Sequence, residues 1–168
     1  NKALIAKNGD YLSLLAEKNN VNLEFEASVG GGIPVLRTIK DGLSTNNITK
    51  VVGILNGTCN YILTKMENTK DSFSKVLKEA QSLGYAELIN PKFDLNGQDT
   101  LSKVKILSAL AFSNKISTKS CLMSGIENIE IDDINMVDKL NYRIKLLGIT
   151  EIIKNQLFER VHPCLVKK

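Results

Sequence analysis

The fold class is decided by one stretch of sequence, Ile48-Thr49-Lys50-Val51-Val52-Gly53-Ile54-Leu55, which runs through Asn56-Gly57-Thr58 into residues 59–66. Residues 48–55 are rich in β-branched side chains, a composition typical of a buried strand. Residues 58–66 place Ile62 and Met66 four positions apart, which is the spacing of one helix face. A strand that passes into a helix through a tight turn predicts an α/β protein.

The flanking sequence continues this alternation of strands and helices. Residues 22–29 alternate apolar with polar side chains and predict a strand, which ends at Gly30-Gly31-Gly32 before a helix that begins near Pro34. Further helices are predicted over residues 11–18 with Asp10 as N-cap, from Ser72 to Leu83 with Gly84 ending the helix, and over residues 101–112 and 132–140. Residues 143–153 and 156–161 predict two strands joined by Lys154-Asn155. This hairpin favours a mixed β-sheet covered by helices over a purely parallel sheet.

Composition excludes several classes of protein. The chain has 168 residues, the size of one domain, with 22 Lys and Arg against 18 Asp and Glu, so its net charge is only +4 and no nucleic-acid partner is expected. His162 is the only histidine, which excludes a multi-histidine metal site. Cys59, Cys121 and Cys164 are widely spaced and odd in number, which disfavours disulfides and predicts a reducing compartment, the cytoplasm. No apolar run approaches the roughly 20 residues of a membrane helix.

The helix predicted over residues 101–112 carries a lysine in an unusual place. At about 100° per residue, Lys103 lies at the centre of the apolar arc, Asp99 lies one turn earlier on the same face, and Lys105 points to the opposite side. One interpretation is a lysine that snorkels to solvent and pairs with Asp99. The other is a partly desolvated ammonium at the mouth of a cleft, which donates a proton to a substrate oxygen. Periodicity alone leaves both interpretations open.

Two further segments are candidates for a site, each with a plain structural alternative. The aperiodic residues 85–96 contain Glu87 and Asp94, which could line a site or belong to a solvated surface loop. The turn Asn56-Gly57-Thr58 could bind a carboxylate at a helix N-terminus, or Thr58 could merely cap the helix. Gly30-Gly31-Gly32 does not match the G-x-G-x-x-G fingerprint of dinucleotide sites, because Val35 stands at the last glycine position.

Four stretches together resemble one known family. They are Phe25-Glu26-Ala27-Ser28-Val29-Gly30-Gly31-Gly32-Ile33-Pro34, Gly53-Ile54-Leu55-Asn56-Gly57-Thr58-Cys59-Asn60-Tyr61-Ile62-Leu63, Glu79-Ala80-Gln81-Ser82-Leu83-Gly84-Tyr85-Ala86-Glu87, and Asp94-Leu95-Asn96-Gly97-Gln98-Asp99 followed by Lys103. In this order, and over nearly the whole chain, they resemble homoserine dehydrogenase. That family interconverts L-aspartate 4-semialdehyde and L-homoserine with a nicotinamide cofactor, NAD or NADP, in threonine, methionine and isoleucine biosynthesis.

The resemblance implies a role for each matching residue. Lys103 matches the proton-donor lysine, and Lys2 matches a second lysine at the active site, beside the cofactor. Substrate-binding positions are matched by Thr58, Glu87, Asp94 and Asp99, and a cofactor-binding position by Gly84. A sodium ion, held mostly by backbone groups, is implied at Glu26, Val29, Gly31 and Ile33.

The resemblance also implies how the chain is divided. Residues 1–30 are expected to be the trailing edge of a Rossmann-type NAD(P)-binding domain, and residues 31–168 a catalytic and dimerisation domain. Because the sequence begins with Asn1 and lacks the glycine-rich phosphate turn, we expect it to be a fragment that is inactive alone and is truncated also at its C-terminus. The parent enzyme is expected to be a homodimer that acts on a small-molecule substrate.

One departure from the family pattern keeps alternatives open. The segment Ala86-Glu87-Leu88-Ile89-Asn90-Pro91 is one residue longer than the usual motif and has Asn90 in place of its acid. A related oxidoreductase of another small aldehyde therefore stays an alternative, as does a non-catalytic oligomerisation module.

Overall fold

A computed structural model describes residues 1–117 and 120–168 of the chain. Within them lie the helices α1 Lys2–Lys18, α2 Val35–Arg37, α3 Gly57–Thr69, α4 Phe73–Ser82, α5 Lys92–Leu95, α6 Gln98–Ala111 and α7 Ile131–Lys139. The strands are β1 Lys50–Gly53, β2 Leu122–Met123, β3 Tyr142–Ile153 and β4 Gln156–Lys167. A 3₁₀ turn covers Glu26–Ser28, and a π-helical turn, Thr38–Gly42, continues α2. No helix in this described part is long and apolar enough to cross a membrane.

The four strands form one sheet in the order β1-β3-β4-β2. Strands β3 and β4 are the predicted hairpin, and both turn residues have positive φ, +49° at Lys154 and +62° at Asn155. Two consecutive positive φ values are the signature of a type I′ turn, whose twist matches that of the strands it joins. The predicted α/β class with a mixed sheet is confirmed.

The chain divides into two compact units. The first comprises residues 1–52, 101–121 and 149–160. In this unit, α1 packs closely against the segment after α6. The carboxylate of Asp10 accepts a hydrogen bond from the backbone N–H of Ile116 at 3.2 Å. A Cβ at Gly9 would lie only 2.6 Å from Cδ1 of Ile116. Gly9 therefore permits this packing. The buried side chains of the first unit include Ile5, Leu36, Val104, Ile106, Leu107 and Ile149.

The second unit comprises residues 53–100, 122–148 and 161–168. Its core forms where α3 packs against α4, α5 and α7. The fully buried side chains there include Cys59, Ile62, Met66, Val76, Ala80, Ile126 and Val161. These residues hold α3, and with it the turn Asn56-Gly57-Thr58, in a fixed position.

The structure corrects several predicted elements. Residues 22–29 do not form a strand, because the carboxylate of Glu26 accepts the backbone N–H groups of Leu36 and Arg37 at 2.9 Å and holds the segment in a turn. Strand β1 is shorter than predicted and is not buried, since it is an outer strand of the sheet and Val52 is 46% exposed. Helix α1 begins at Lys2 rather than after Asp10, because the side chain of Asn1 caps it.

Candidate functional site

Asn56 lies at the centre of a hydrogen-bonded cluster in the second unit. Its Oδ1 accepts the backbone N–H of Cys59 at 2.8 Å and so caps α3. Its Nδ2 donates to Oδ1 of Asp94 at 2.8 Å and to Oδ2 of Asp99 at 2.8 Å. Asn56 is 4% exposed and Asp99 is 2% exposed, so the bond between them is made away from solvent, whereas the bond to the half-buried Asp94 lies nearer the surface. One amide thus joins the turn before α3 to α5 and to the start of α6.

Thr58 belongs to the same cluster. Its hydroxyl donates to the backbone carbonyl of Tyr85 at 2.7 Å and lies 3.4 Å from Oδ2 of Asp94. The thiol of Cys59 donates to the backbone carbonyl of Asp94 at 3.3 Å, which ties α5 to α3 a second time. Three residues predicted for the substrate, Thr58, Asp94 and Asp99, are therefore within one hydrogen-bonded group.

The segment that carries Gly84 and Glu87 begins as predicted, with a glycine just after α4. Gly84 has a φ of +78°, and the N–H of Tyr85 donates to the carbonyl of Ala80 at 2.8 Å, as in a Schellman motif. The side-chain amide of Gln81 then donates to the carbonyl of Glu87 at 3.0 Å and fixes the backbone there. The carboxylate of Glu87 is exposed, unlike that of Asp99.

Lys103 lies in α6, one helical turn after Asp99, and is half-buried. Its neighbours Val104, Ile106 and Leu107 are at most 2% exposed, in agreement with the predicted apolar arc. Lys105, off that arc, donates instead to the carbonyl of Ser117 at 2.8 Å. The role of Lys103 as a proton donor stays a prediction.

The N-terminal candidates lie in the first unit. Lys2 is half-buried in the first turn of α1. Among Glu26, Val29, Gly31 and Ile33, the carboxylate of Glu26 is already committed to two backbone N–H groups. No group of three or more His, Cys, Asp or Glu side chains in the described residues could hold a metal ion. A sodium ion at these four positions stays a prediction.

The residues present fit only part of a nicotinamide cofactor. The sequence contains no G-x-G-x-x-G turn, and Gly30-Gly31-Gly32 is neither preceded by a strand nor followed by a long helix. Open space surrounds Gly84, where a Cβ would meet no atom within 4 Å, so the backbone there is accessible to a ligand. Gly84, together with Lys2 from the sequence resemblance, stays a candidate for contact with the cofactor, and the described residues include no glycine-rich turn between a strand and a helix that would hold its phosphates.

Sequence reasoning missed the central residue of the cluster. The sequence offers Thr58 as a possible cap of the helix, whereas in the structure Asn56 caps α3. An Asn directly before a Gly and a helix is a signal for an N-cap. Its bonds to Asp94 and Asp99 join residues 38 and 43 positions away, which no local pattern reveals.

The chain is similar in sequence and in fold to proteins of one known family. The homoserine dehydrogenase family profile matches residues 34–168. Homoserine dehydrogenase of Neisseria gonorrhoeae is 45% identical over 166 residues, 99% of this chain and 38% of the relative, and that of Helicobacter pylori is 46% identical over 167 residues, 99% and 39%. The crystal structure of a homoserine dehydrogenase from Thiobacillus denitrificans superposes with a TM-score of 0.96 at 42% identity, over 99% of this chain and 38% of that one.

The chain therefore spans about two fifths of the length of the curated relatives it matches. The family profile covers most of it, and the relatives align along nearly all of it. The chain belongs to the homoserine dehydrogenase family.

Proposed function

We propose that the protein containing this chain is an NAD(P)-dependent oxidoreductase that interconverts L-homoserine and L-aspartate 4-semialdehyde. The observation that carries this proposal is the convergence of Asp94 and Asp99 on Asn56, with Thr58 beside Asp94, in a member of the homoserine dehydrogenase family. A buried and a half-buried carboxylate held by one neutral amide are suited to a cationic or hydroxyl-bearing ligand rather than to packing alone.

The substrate pair matches the chemistry of this cluster. Both compounds carry an α-ammonium group, which charge-assisted hydrogen bonds from carboxylates such as Asp94 and the exposed Glu87 can bind. Both also carry an α-carboxylate, for which the positive end of the 13-residue helix α3, beside Thr58, is a favourable environment. Asp99, held by Asn56, orients the reacting end of the substrate.

Proton transfer is assigned to Lys103. When the aldehyde is reduced, its carbonyl oxygen becomes an alkoxide, and the Lys103 ammonium donates the proton that completes the hydroxyl group. The bound nicotinamide cofactor supplies the hydride to the aldehyde carbon. Lys2 supplies a second positive charge at the active site.

The cofactor is proposed to be NAD or NADP, contacted by Lys2 and Gly84. A homoserine dehydrogenase mutant from a hyperthermophilic archaeon, 27% identical with a TM-score of 0.81 over 100% of this chain and 47% of that one, was solved with NADPH, which supports NADP. A sodium ion bound by backbone carbonyls of Glu26, Val29, Gly31 and Ile33 is part of the same proposal. We further propose a cytoplasmic homodimer, since three widely spaced cysteines, an odd number, favour a reducing compartment over a disulfide framework.

The test is steady-state turnover by the full reading frame that encodes this chain. Homoserine should be oxidised in the presence of NAD⁺ or NADP⁺, and aspartate semialdehyde should be reduced in the reverse direction. Turnover of a different small aldehyde, with none of aspartate semialdehyde, would assign the site to another oxidoreductase. Absence of both turnover and nicotinamide binding would favour a non-catalytic module.

A further inference from the structure

We infer that Asn56 is the positioning residue of this site: its amide holds the carboxylates of Asp94 and Asp99 in the orientation that binds substrate. The inference rests on the proposed function and adds a residue to which neither periodicity nor the family resemblance assigned a role. Its basis is the set of hydrogen bonds made by this one side chain.

The orientation of the Asn56 amide is fixed by the helix that it caps. A backbone N–H can only donate, so the 2.8 Å contact from the N–H of Cys59 requires the amide oxygen at that point. The amide nitrogen then faces away from α3 with exactly two hydrogens to donate, and each carboxylate lies 2.8 Å from it. All the donors of this buried group are therefore committed, one to Asp94 and one to Asp99.

The arrangement leaves part of Asp94 available to a ligand. Thr58 has one hydroxyl proton, and its shorter contact, 2.7 Å, is to the carbonyl of Tyr85 rather than to Oδ2 of Asp94 at 3.4 Å. Oδ2 of Asp94 therefore keeps acceptor capacity, while Oδ1 is held by Asn56. Fixing one oxygen of a carboxylate and leaving the other accessible is how a neighbouring amide aims that carboxylate at a substrate.

Asparagine is the residue type that meets both requirements at position 56. Serine at this position would cap α3 but would offer no pair of N–H donors to the carboxylates. Aspartate has the shape of asparagine and is a good N-cap, but it would place a third carboxylate against Asp94 and Asp99. Asn56→Ser and Asn56→Asp therefore separate the capping role from the positioning role.

The experiment measures both variants in the protein from the full reading frame. We expect Asn56→Ser and Asn56→Asp to fold, because each keeps a capping side chain, and to lower kcat/KM for homoserine about a hundredfold, mainly through KM. The KM for the nicotinamide cofactor should stay within about twofold of the wild-type value, since Asn56 acts only through the two acids. Combining Asn56→Ser with Asp94→Asn should cost much less than the product of the two single effects.

Thr150→Val is the matched control. It removes another buried side-chain hydrogen bond, the 3.0 Å bond between the hydroxyls of Thr150 and Ser108, without touching the acids. It should lower the melting temperature and leave the KM for homoserine unchanged. If Asn56→Ser behaves in the same way, with a lower melting temperature and normal KM for homoserine, Asn56 is only a cap and the inference is overturned.

A crystal structure of the Asn56→Ser protein makes this test independent of the reaction. Positioning by Asn56 predicts that the carboxylates of Asp94 and Asp99 move apart in the variant. Unchanged carboxylates would refute the inference even in an active enzyme. A wild-type protein that does not oxidise homoserine would instead refute the proposed function, and displaced carboxylates would still support the positioning role.

Discussion

At the scale of single residues, the acids assigned to the substrate differ in what holds them. Asp99 is 2% exposed and accepts a hydrogen bond from Asn56, whereas the side chain of Glu87 is exposed. Asp99 therefore contributes to the fold as well as to the site, while the carboxylate of Glu87 is available for a ligand without supporting the structure around it.

Substitution of each acid by its amide should separate these contributions. Glu87→Gln should weaken the use of homoserine and leave the melting temperature within about a degree, as is usual for an exposed side chain. Asp99→Asn should weaken homoserine use and also lower the melting temperature by several degrees. The new amide can turn its N–H₂ group towards the amide nitrogen of Asn56, and the buried hydrogen bond between positions 56 and 99 is then lost at a cost of about 1–3 kcal/mol. Kinetics and thermal unfolding check this prediction; a destabilised Glu87→Gln protein with normal kinetics would contradict it.

At the scale of elements, the helix that carries Asp94 is held by a close approach of two backbone segments. The N–H of Ile126 donates to the carbonyl of Leu95, the last residue of α5, at 2.9 Å. A Cβ on Gly125 would lie 2.0 Å from that same carbonyl oxygen and 2.5 Å from Cα of Asn96. Only a glycine at position 125 allows this contact, so α5 is placed by its fit against residues 124–126.

Gly125→Ala should therefore displace α5. We expect a loss of stability of more than about 1 kcal/mol, because backbone atoms on both sides must move, together with a higher KM for homoserine from the displaced Asp94. Gly42→Ala is the control, since a Cβ there would lie 3.8 Å from Thr38, an ordinary van der Waals distance. Equal melting temperatures for the two alanine variants would show that the approach at Gly125 does not position α5.

Turns and helix ends that depend on neighbouring residues could be predicted from the sequence. Segments whose conformation depends on hydrogen bonds to distant residues could not. The turn at Lys154-Asn155 and the helix end at Gly84 follow from residues that tolerate or require positive φ, and both are confirmed. Residues 22–29 have the period of a strand, but two hydrogen bonds from Leu36 and Arg37 to Glu26 hold a turn there instead. Strand β2 is only two residues long and carries no periodic signal.

The same distinction applies to the residues of the candidate site. Thr58, Asp94 and Asp99 could be named from a resemblance of sequence motifs, and the structure places them in one hydrogen-bonded cluster. Asn56 could not be recognised as its centre, because its amide bonds connect segments that are adjacent only in the folded chain.

At the scale of the whole molecule, a network of charges holds the end of β4 in the second unit. Lys168 pairs with Asp138 of α7 and with Glu67 of α3, and Lys70 pairs with Asp138 at 3.0 Å. Hydrogen bonds from Lys168, and then from Lys70, lower the pKa of Asp138 from 3.8 to about 2. Because the pKa in the folded state is below its ordinary value, this stabilisation is complete above about pH 5 and is lost progressively as the pH falls towards 2.

Asp138→Asn should therefore destabilise the protein at neutral pH and matter progressively less in acid. We expect the difference in melting temperature between wild type and variant to be constant above about pH 5 and to shrink from pH 4 towards pH 2. Glu127→Gln, a change at an exposed acid, should show no such trend. A difference that grows as the pH falls would have the wrong sign for this network.

We expect cofactor binding to require residues that this sequence does not contain. Because its 168 residues include no G-x-G-x-x-G turn, the chain expressed alone should bind NADPH only weakly and should not oxidise homoserine. Fluorescence titration with NADPH checks the binding, and the product of the full reading frame is the positive control. Tight binding by the isolated chain would mean that its own residues form a phosphate site.

We propose that Lys103 of α6 transfers a proton in the interconversion of homoserine and aspartate semialdehyde. The most direct measurement compares kcat for the wild-type product of the full reading frame with kcat for Lys103→Ala, with Lys105→Ala as the control on the same helix. A general acid contributes about 10²- to 10⁴-fold, so Lys103→Ala should lower kcat by that factor. Lys103→Arg should lower kcat nearly as much, because a guanidinium is a poor proton donor.

Lys105 donates a hydrogen bond to the carbonyl of Ser117, and Lys105→Ala should have almost no effect on kcat. Equal losses at the two positions, or a fully active Lys103→Ala enzyme, would contradict the account.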